Sequence, residues 1–107
     1  MKSVTNLSSS QRKYLRGVAH GLKPVVLIGQ KGLTTSLAQA LDEALMAHEL
    51  VKAKFIDDKD KDFKARAIEK LTEATASELV GLIGHTAIFF RPHPDPDKRR
   101  IAVPGSL

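Results

Sequence analysis

The chain has 107 residues, of which 42% are hydrophobic and none is cysteine, so it is long enough for one domain with its own core, and disulfides, cysteine-based zinc sites and thiol catalysis are excluded. The net charge of +5 is unevenly distributed, because the first 41 residues hold six basic and no acidic side chains, whereas residues 42–90 hold seven basic and ten acidic ones. Such a basic segment is typical of a surface that binds a polyanion, with an ordinary solvated surface as the equal alternative.

The first helix is predicted to begin after Ser8 and to run to about Gly21. Ser8 and Gln11 have the spacing of a capping box, and Pro24 prevents the helix from continuing. Its apolar stripe consists of Leu15, Val18, Ala19 and Leu22.

A strand, a helix and a second strand follow. Residues 25–28 are apolar on both faces and rich in β-branched side chains, which predicts a buried strand. Thr34 or Thr35 can cap the second helix, and residues 50–56 predict the second strand. One side of that strand carries Val51, Ala53 and Phe55, and the other carries Lys52 and Lys54.

The third helix follows a charged turn over residues 57–62, with Asp60 or Asp62 as its cap. Its predicted inner stripe consists of Phe63, Ala67, Leu71 and Ala74. Residues 79–83 and 87–90 then predict a hairpin that turns at Gly84-His85.

The last strand ends in two aromatic residues. Phe89 and Phe90 are adjacent, so they face opposite sides, and we expect one in the core and the other exposed. Beyond the prolines that follow, residues 99–103 predict a short edge strand or a loose tail. The order α-β-α-β-α-β-β predicts an α/β fold (α+β, two layers) with a mixed four-stranded sheet packed with three helices.

The strongest candidate site is the sequence Gly29-Gln30-Lys31-Gly32 between the first strand and the second helix. Glycine lets the backbone approach a ligand closely, the next helix begins with free N–H groups, and Lys31 adds a full charge. A GxxG loop clamps the backbone of single-stranded RNA in KH modules. The alternative is a turn that needs glycine for its geometry alone.

Basic residues that precede this loop favour binding. They are Arg12, Lys13, Arg16 and Lys23, of which Lys13 is the weakest candidate. We expect the first helix and the loop to form one continuous basic surface, which Lys52 and Lys54 extend if their face of the sheet is open.

Motifs of catalysis are missing from the sequence. There is no Walker loop, no GxGxxG, no HExxH and no GxSxG, and the acidic turn does not fit a calcium-binding loop. We therefore predict no catalytic residue, no metal site, no cofactor and no small-molecule substrate. A small hydrolase acting on nucleic acid is disfavoured on the same grounds.

No apolar run approaches the ~20 residues of a membrane span, and residues 1–6 lack the apolar core of a secretory signal. We expect a soluble cytoplasmic protein without a membrane partner. The oligomeric state stays open.

Six short segments occur in the same order in a known family. They are QRKYLR (11–16), AH (19–20), LKPVV (22–26), GQKGLT (29–34), HELVK (48–52) and IGHT (83–86). The set resembles the CRM domain in its stand-alone bacterial form, the YhbY family, over residues 7–92. We therefore expect one RNA-binding domain over residues 7–92, with a flexible N-terminus over residues 1–6 before it and a proline-containing basic tail over residues 93–107 after it.

The resemblance implies a fold similar to the C-terminal domain of translation initiation factor 3. It also implies RNA binding without catalysis and association with precursors of the large ribosomal subunit. Its RNA-binding GxxG loop corresponds to residues 29–32, and its basic first helix to Arg12, Lys13 and Arg16.

Two positions depart from the family pattern. The hairpin turn often carries lysine where this chain has His85, so a constant positive charge is not expected there. The fourth strand often ends in Tyr-Arg-Pro, whereas Phe90 here lacks the hydroxyl.

The sequence thus predicts a non-catalytic RNA-binding protein that contacts the phosphate backbone of ribosomal RNA during large-subunit assembly. The alternative is a protein-interaction module whose basic end docks an acidic protein surface.

Overall fold

The computed structural model describes residues 7–57 and 60–105. The helices are α1 (Ser9–Ala19), α2 (Thr35–His48) and α3 (Lys61–Thr75), and a 3-10 turn covers Pro96–Lys98. The strands are β1 (Val26–Ile28), β2 (Leu50–Phe55), β3 (Glu78–Ile83) and β4 (Thr86–Phe90). The predicted order of helices and strands is confirmed. The predicted flexible N-terminus (residues 1–6) and residues 58 and 59 of the charged turn lie outside the described residues.

The four strands form one mixed sheet in the order β1-β2-β4-β3. β1 and β2 are parallel and are connected through α2, whereas β4 is antiparallel to both of its neighbours. The ladder between β3 and β4 is irregular between Leu79 and Gly81. The mixed four-stranded sheet predicted from the sequence is therefore confirmed.

Local capping fixes where the helices begin. Ser8 and Gln11 form the predicted capping box, in which each side chain accepts the other residue's backbone N–H. Thr34 and Asp60 cap α2 and α3 by accepting the N–H of the residue three positions later. α1 ends at Ala19, two residues before the predicted end.

α2 and α3 pack against one face of the sheet. This core contains side chains from all four strands and from both helices, among them Ile28, Leu41, Leu45, Phe55, Leu71 and Phe89, with Leu79 packed at its margin. Two helices, each about 10 Å wide, cover four strands spaced about 4.8 Å apart. They cover this face except near the end of β3, where Leu82, which lies opposite Ala87, is 42% exposed.

The other face is covered in part, by α1 and by the C-terminal segment (residues 93–105), so the fold has three layers where two are predicted. The second core consists of Leu15, Ala19, Leu50, Val80, Ile88 and Phe90, with Leu7, Ile101 and Val103 packed at its margin. Phe89 and Phe90 are thus both buried, one in each core. The expectation that one of them is exposed is wrong, because both faces of the sheet are covered at this end of β4.

β1 is buried on one face only. Val26 and Ile28 lie in the first core, but Val25 and Leu27 are exposed on the other face. The predicted burial on both faces is wrong, because α1 packs against β3 and β2 and one helix covers only about two strands. Val18 and Leu22 of the predicted α1 stripe are exposed for the same reason, since the helix rests on Leu15 and Ala19. Ala74 of the predicted α3 stripe is exposed too.

A buried carboxylate holds the C-terminal segment against the domain. Glu49 is 2% exposed, and its Oε1 accepts the backbone N–H of Arg100 (2.7 Å) and of Ile101 (3.1 Å). Its Oε2 accepts the N–H of His93 at 2.8 Å. Residues 99–103 form no strand and are anchored by these bonds and by the packing of Ile101 and Val103.

Arg91 links the middle of α2 to the C-terminal end of α3. Its Nη1 donates to Asp42 Oδ1 and to the Thr75 carbonyl oxygen, both at 2.7 Å, and its Nη2 donates to the Asp42 carbonyl oxygen. This arginine is therefore structural.

No helix in the described part of the chain is long and apolar enough to cross a membrane.

We predict that Glu49→Gln lowers the free energy of unfolding by about 1–3 kcal/mol, because the amide presents an N–H group to buried N–H donors that then lose their acceptor. Urea unfolding measures this, and Glu43→Gln on the exposed side of α2 is the matched control. Amide exchange at Arg100 and Ile101 should accelerate. Equal stability of the two variants would contradict the anchoring role.

Candidate nucleic-acid interface

The face of the sheet that α1 leaves uncovered carries one line of side chains across all four strands. Leu27 lies opposite Lys54, Lys54 opposite Thr86, and Thr86 opposite Ile83. Laterally paired residues point to the same side, so these four side chains form what we call the open row. With strands about 4.8 Å apart, the row spans about 14 Å.

A shallow cavity of about 230 Å³ lies beside the open row. It is lined by Arg16, His20, Pro24, Lys52, Ile83, Thr86 and Ile88. The C-terminal end of α1 thus forms one wall and the sheet forms the floor.

Backbone carbonyl groups position the two cations of this cavity. Arg16 Nη1 donates to the Val80 carbonyl oxygen at 3.4 Å, and Lys52 Nζ donates to the Leu22 carbonyl oxygen at 3.0 Å. A Cβ on Gly81 would lie 3.1 Å from Arg16 Cδ, so the glycine makes room for this side chain. A carbonyl oxygen orients a cation without neutralising its charge, and the cavity therefore stays positive.

The GxxG loop lies next to the open row. Leu27 is followed by Ile28, which lies opposite Phe55, and the loop begins directly after it. The N–H of Gly32 donates to the carbonyl oxygen of Gly29 at 3.1 Å, which closes a tight turn with Gln30 and Lys31 exposed at its tip. The first turn of α2 contains no acidic residue.

The two glycines of this loop have different roles. Gly32 is buried with φ +67, and a Cβ there would lie 3.4 Å from the Phe63 ring, so the backbone geometry requires glycine. Gly29 has no positive φ, and a Cβ there would meet nothing within 4 Å. The fold therefore does not require glycine at position 29, and its backbone is open to close approach.

The predicted site residues fall into two groups. Residues 29–32 and Arg16 adjoin the open row, and exposed Lys23 precedes Pro24 of the cavity wall. Arg12 and Lys13 lie elsewhere. Arg12 lies one helical turn before Arg16, about 6 Å away along α1. Its Nη1 donates to the Leu7 carbonyl oxygen at 2.6 Å. Lys13 lines a separate shallow cavity with Ser10, Tyr14, Gly17 and Val18.

A positive charge at the hairpin turn comes from a residue that the sequence analysis missed. Lys64 is buried, and its Nζ lies 2.9 Å from His85 Nδ1 and 3.4 Å from the Gly84 carbonyl oxygen. Because an ammonium group only donates, Nδ1 of His85 accepts. The helical spacing of position 64 with the buried residues Ala67, Ile68 and Leu71 is the signal that could have placed this lysine inward.

The remaining polar residues do not suggest a metal centre. Within residues 7–57 and 60–105, no three histidine or acidic side chains are grouped so that they could hold a metal ion. The site is thus a basic, partly apolar surface.

Comparisons with known proteins identify the family. A family model described as the CRS1/YhbY (CRM) domain matches residues 7–91. A Haemophilus influenzae protein named an RNA-binding protein is 37% identical over 89 residues, covering 83% of this chain and 89% of that relative. A Bacillus subtilis protein named a probable RNA-binding protein is 30% identical over 98 residues, covering 92% of this chain and 99% of that relative.

A solved structure agrees with these matches. The solution structure of a hypothetical protein from Staphylococcus aureus, described as a candidate RNA-binding protein, is similar with a TM-score of 0.75 at 31% identity. The match covers 91% of this chain and all of the other. On the family match, the identities and the shared fold together, the chain belongs to the CRS1/YhbY (CRM) domain family.

Proposed function

We propose that this chain is a non-catalytic RNA-binding protein, and that it binds ribosomal RNA in the cytoplasm during assembly of the large ribosomal subunit. The names of its relatives support the RNA partner, since they are described by RNA binding. The ribosomal target rests on the resemblance to the YhbY family.

The observation that carries the proposal is a group of cations around one open surface. They are Arg16, Lys23, Lys31, Lys52 and Lys54. In the described ranges, none of these five forms an ion pair with a carboxylate. A phosphate backbone meets such a surface without displacing internal partners, and counterion release drives the association.

The GxxG loop would hold one phosphate. Gly29 is half-buried, but the space beside its Cα is empty and permits close approach, and Lys31 at the tip of the turn supplies a full charge. Lys52, Lys54 and Arg16 would continue the phosphate path across the sheet. Phosphate contacts position a protein but carry little sequence information, so the proposal includes a preference for RNA shape or strandedness and no strict base code.

The ribosomal target is tested by sedimentation of the native protein with cell extract on sucrose gradients, with and without RNase, at low and high salt. We expect co-migration with large-subunit particles at low salt and its loss at high salt or after RNase. Protein that stays at the top of every gradient would overturn the ribosomal part of the proposal. Co-migration that survives RNase would instead favour docking on a protein surface.

We predict that Lys31→Ala weakens RNA binding and reduces the slope of log K against log salt by about one unit or less, because one phosphate contact is lost. Fluorescence anisotropy with a labelled single-stranded RNA over a salt series measures this slope. Lys70→Ala is the charge-matched control, since Lys70 is exposed on α3, which packs on the opposite face. Identical slopes for the two variants would argue against a contact at Lys31.

We predict opposite behaviour for the two loop glycines. Gly29→Val should change the free energy of unfolding by less than about 0.5 kcal/mol and weaken RNA binding, because the new side chain blocks the backbone. Gly32→Val should cost about 1–3 kcal/mol of stability, because valine is strained at positive φ. Urea unfolding and anisotropy are measured on both variants. Unimpaired binding by a stable Gly29→Val protein would show that no phosphate approaches this backbone.

A further inference from the structure

We propose that the open row, with Val25 and Ile56 beside it, binds the bases of single-stranded RNA. Bases would lie on the aliphatic side chains at both ends of the row, and phosphates would lie toward Lys52, Lys54 and Arg16. The inference rests on the proposed function and adds a chemical class of ligand, an unpaired RNA strand, and a surface that recognises it.

The most exposed large apolar side chains of the described chain lie on this surface. Leu27 and Ile83 are 60% exposed, Ile56 is 59% exposed and Val25 is 57% exposed, whereas every other exposed large apolar residue is below 50%. Leu27 and Ile83 end the open row. Ile56 follows β2, where strand alternation puts it on the same side as Lys54, and its N–H donates to the Ile28 carbonyl oxygen.

Clustering of exposed apolar residues marks a binding surface, whereas scattered ones are ordinary. Here the cluster lies at the end of the sheet that carries the GxxG loop and not at the end that the C-terminal segment covers. A ligand held by Lys31 would therefore extend directly over the row.

The charge of the surface selects the ligand. Lys54 stands in the middle of the open row, exposed, and Lys52 and Arg16 lie beside it. An apolar protein partner would have to bury Lys54 without a counterion, which is costly. Single-stranded RNA supplies both apolar base faces and phosphates, whereas a duplex hides its base faces in the stack.

The surface offers aliphatic contacts and no strand aromatic, because Phe89 and Phe90 are both buried. Bases would be held by apolar contact with Leu27, Ile56 and Ile83 and by the hydroxyl of Thr86. Such contacts are available to every base, so the row is expected to distinguish strandedness far better than sequence.

The test compares three probes of equal length at one salt concentration: an oligouridylate, an abasic ribose–phosphate oligomer and an RNA duplex. We expect the wild-type protein to bind the oligouridylate about three- to tenfold more tightly than the abasic oligomer, with the duplex also weaker. The double variant Leu27→Thr/Ile83→Thr should lose this difference and keep its affinity for the abasic oligomer. Threonine preserves strand preference at both positions.

Met46→Gln is the control, because Met46 is an exposed apolar residue on α2, which packs against the opposite face. It should retain the preference for the oligouridylate. The melting temperature of each variant reports whether it is folded, and the comparison of oligouridylate with abasic oligomer on the wild-type protein does not depend on any variant.

The outcomes separate the two proposals. If the wild-type protein binds none of the probes, the proposed function fails and this inference fails with it. If it binds the oligouridylate and the abasic oligomer equally, or the double variant keeps the preference, only the base-binding surface is overturned. Sedimentation equilibrium that shows a wild-type dimer and a monomeric double variant would overturn it as well, because a second copy would then occupy the row.

Discussion

The fold has only three helices to cover the two faces of a four-stranded sheet, so part of one face stays open to a ligand. α2 and α3 cover most of one face. α1 alone is too narrow for the other face, so it covers β3 and parts of β2 and β4. The C-terminal segment adds Ile101 and Val103 at one end. The uncovered remainder is the open row, and it lies at the end of the sheet where the GxxG loop begins.

Basic side chains border the open part of the sheet, whereas the acidic side chains that stabilise the fold lie elsewhere. The basic side chains beside the open row are oriented by backbone carbonyl groups, as Arg16 and Lys52 show, and keep their charge available. Two acidic side chains at other places hold the structure together. Glu49 binds three backbone N–H groups of the C-terminal segment, and Asp42 binds Arg91. A phosphate ligand approaching the row therefore meets cations without the carboxylates that serve the fold.

Features set by local rules could be predicted from the sequence. The capping box at Ser8, the alternation along β2 and the GxxG turn depend on neighbours within a few residues. The burial of β1 could not be predicted from its own composition, because it depends on where α1 packs. The number of helices was the available signal, since one helix cannot cover four strands.

Long-range polar contacts could not be predicted from the sequence either. The bond between Glu49 and the N–H of Arg100 joins residues 51 positions apart, and no local pattern marks a glutamate after a helix as an anchor. Lys64 and His85 are 21 positions apart, so the sequence showed a turn without a constant charge where the fold brings in an ammonium group. The sequence predicts the loop and the basic residues of the candidate site but not its apolar half, because the exposure of Leu27 and Ile83 is a tertiary property.

We propose that RNA binds the face of the sheet that α1 leaves open. Titration of the isotope-labelled protein with a single-stranded RNA, followed by amide chemical shifts, tests it most directly. RNA bound on this face would give the largest shift changes at residues 27–32, 52–54 and 83–86 and would leave the outer surface of α2 unchanged. Largest changes on α2 and α3, or confined to residues 96–101, would contradict the account.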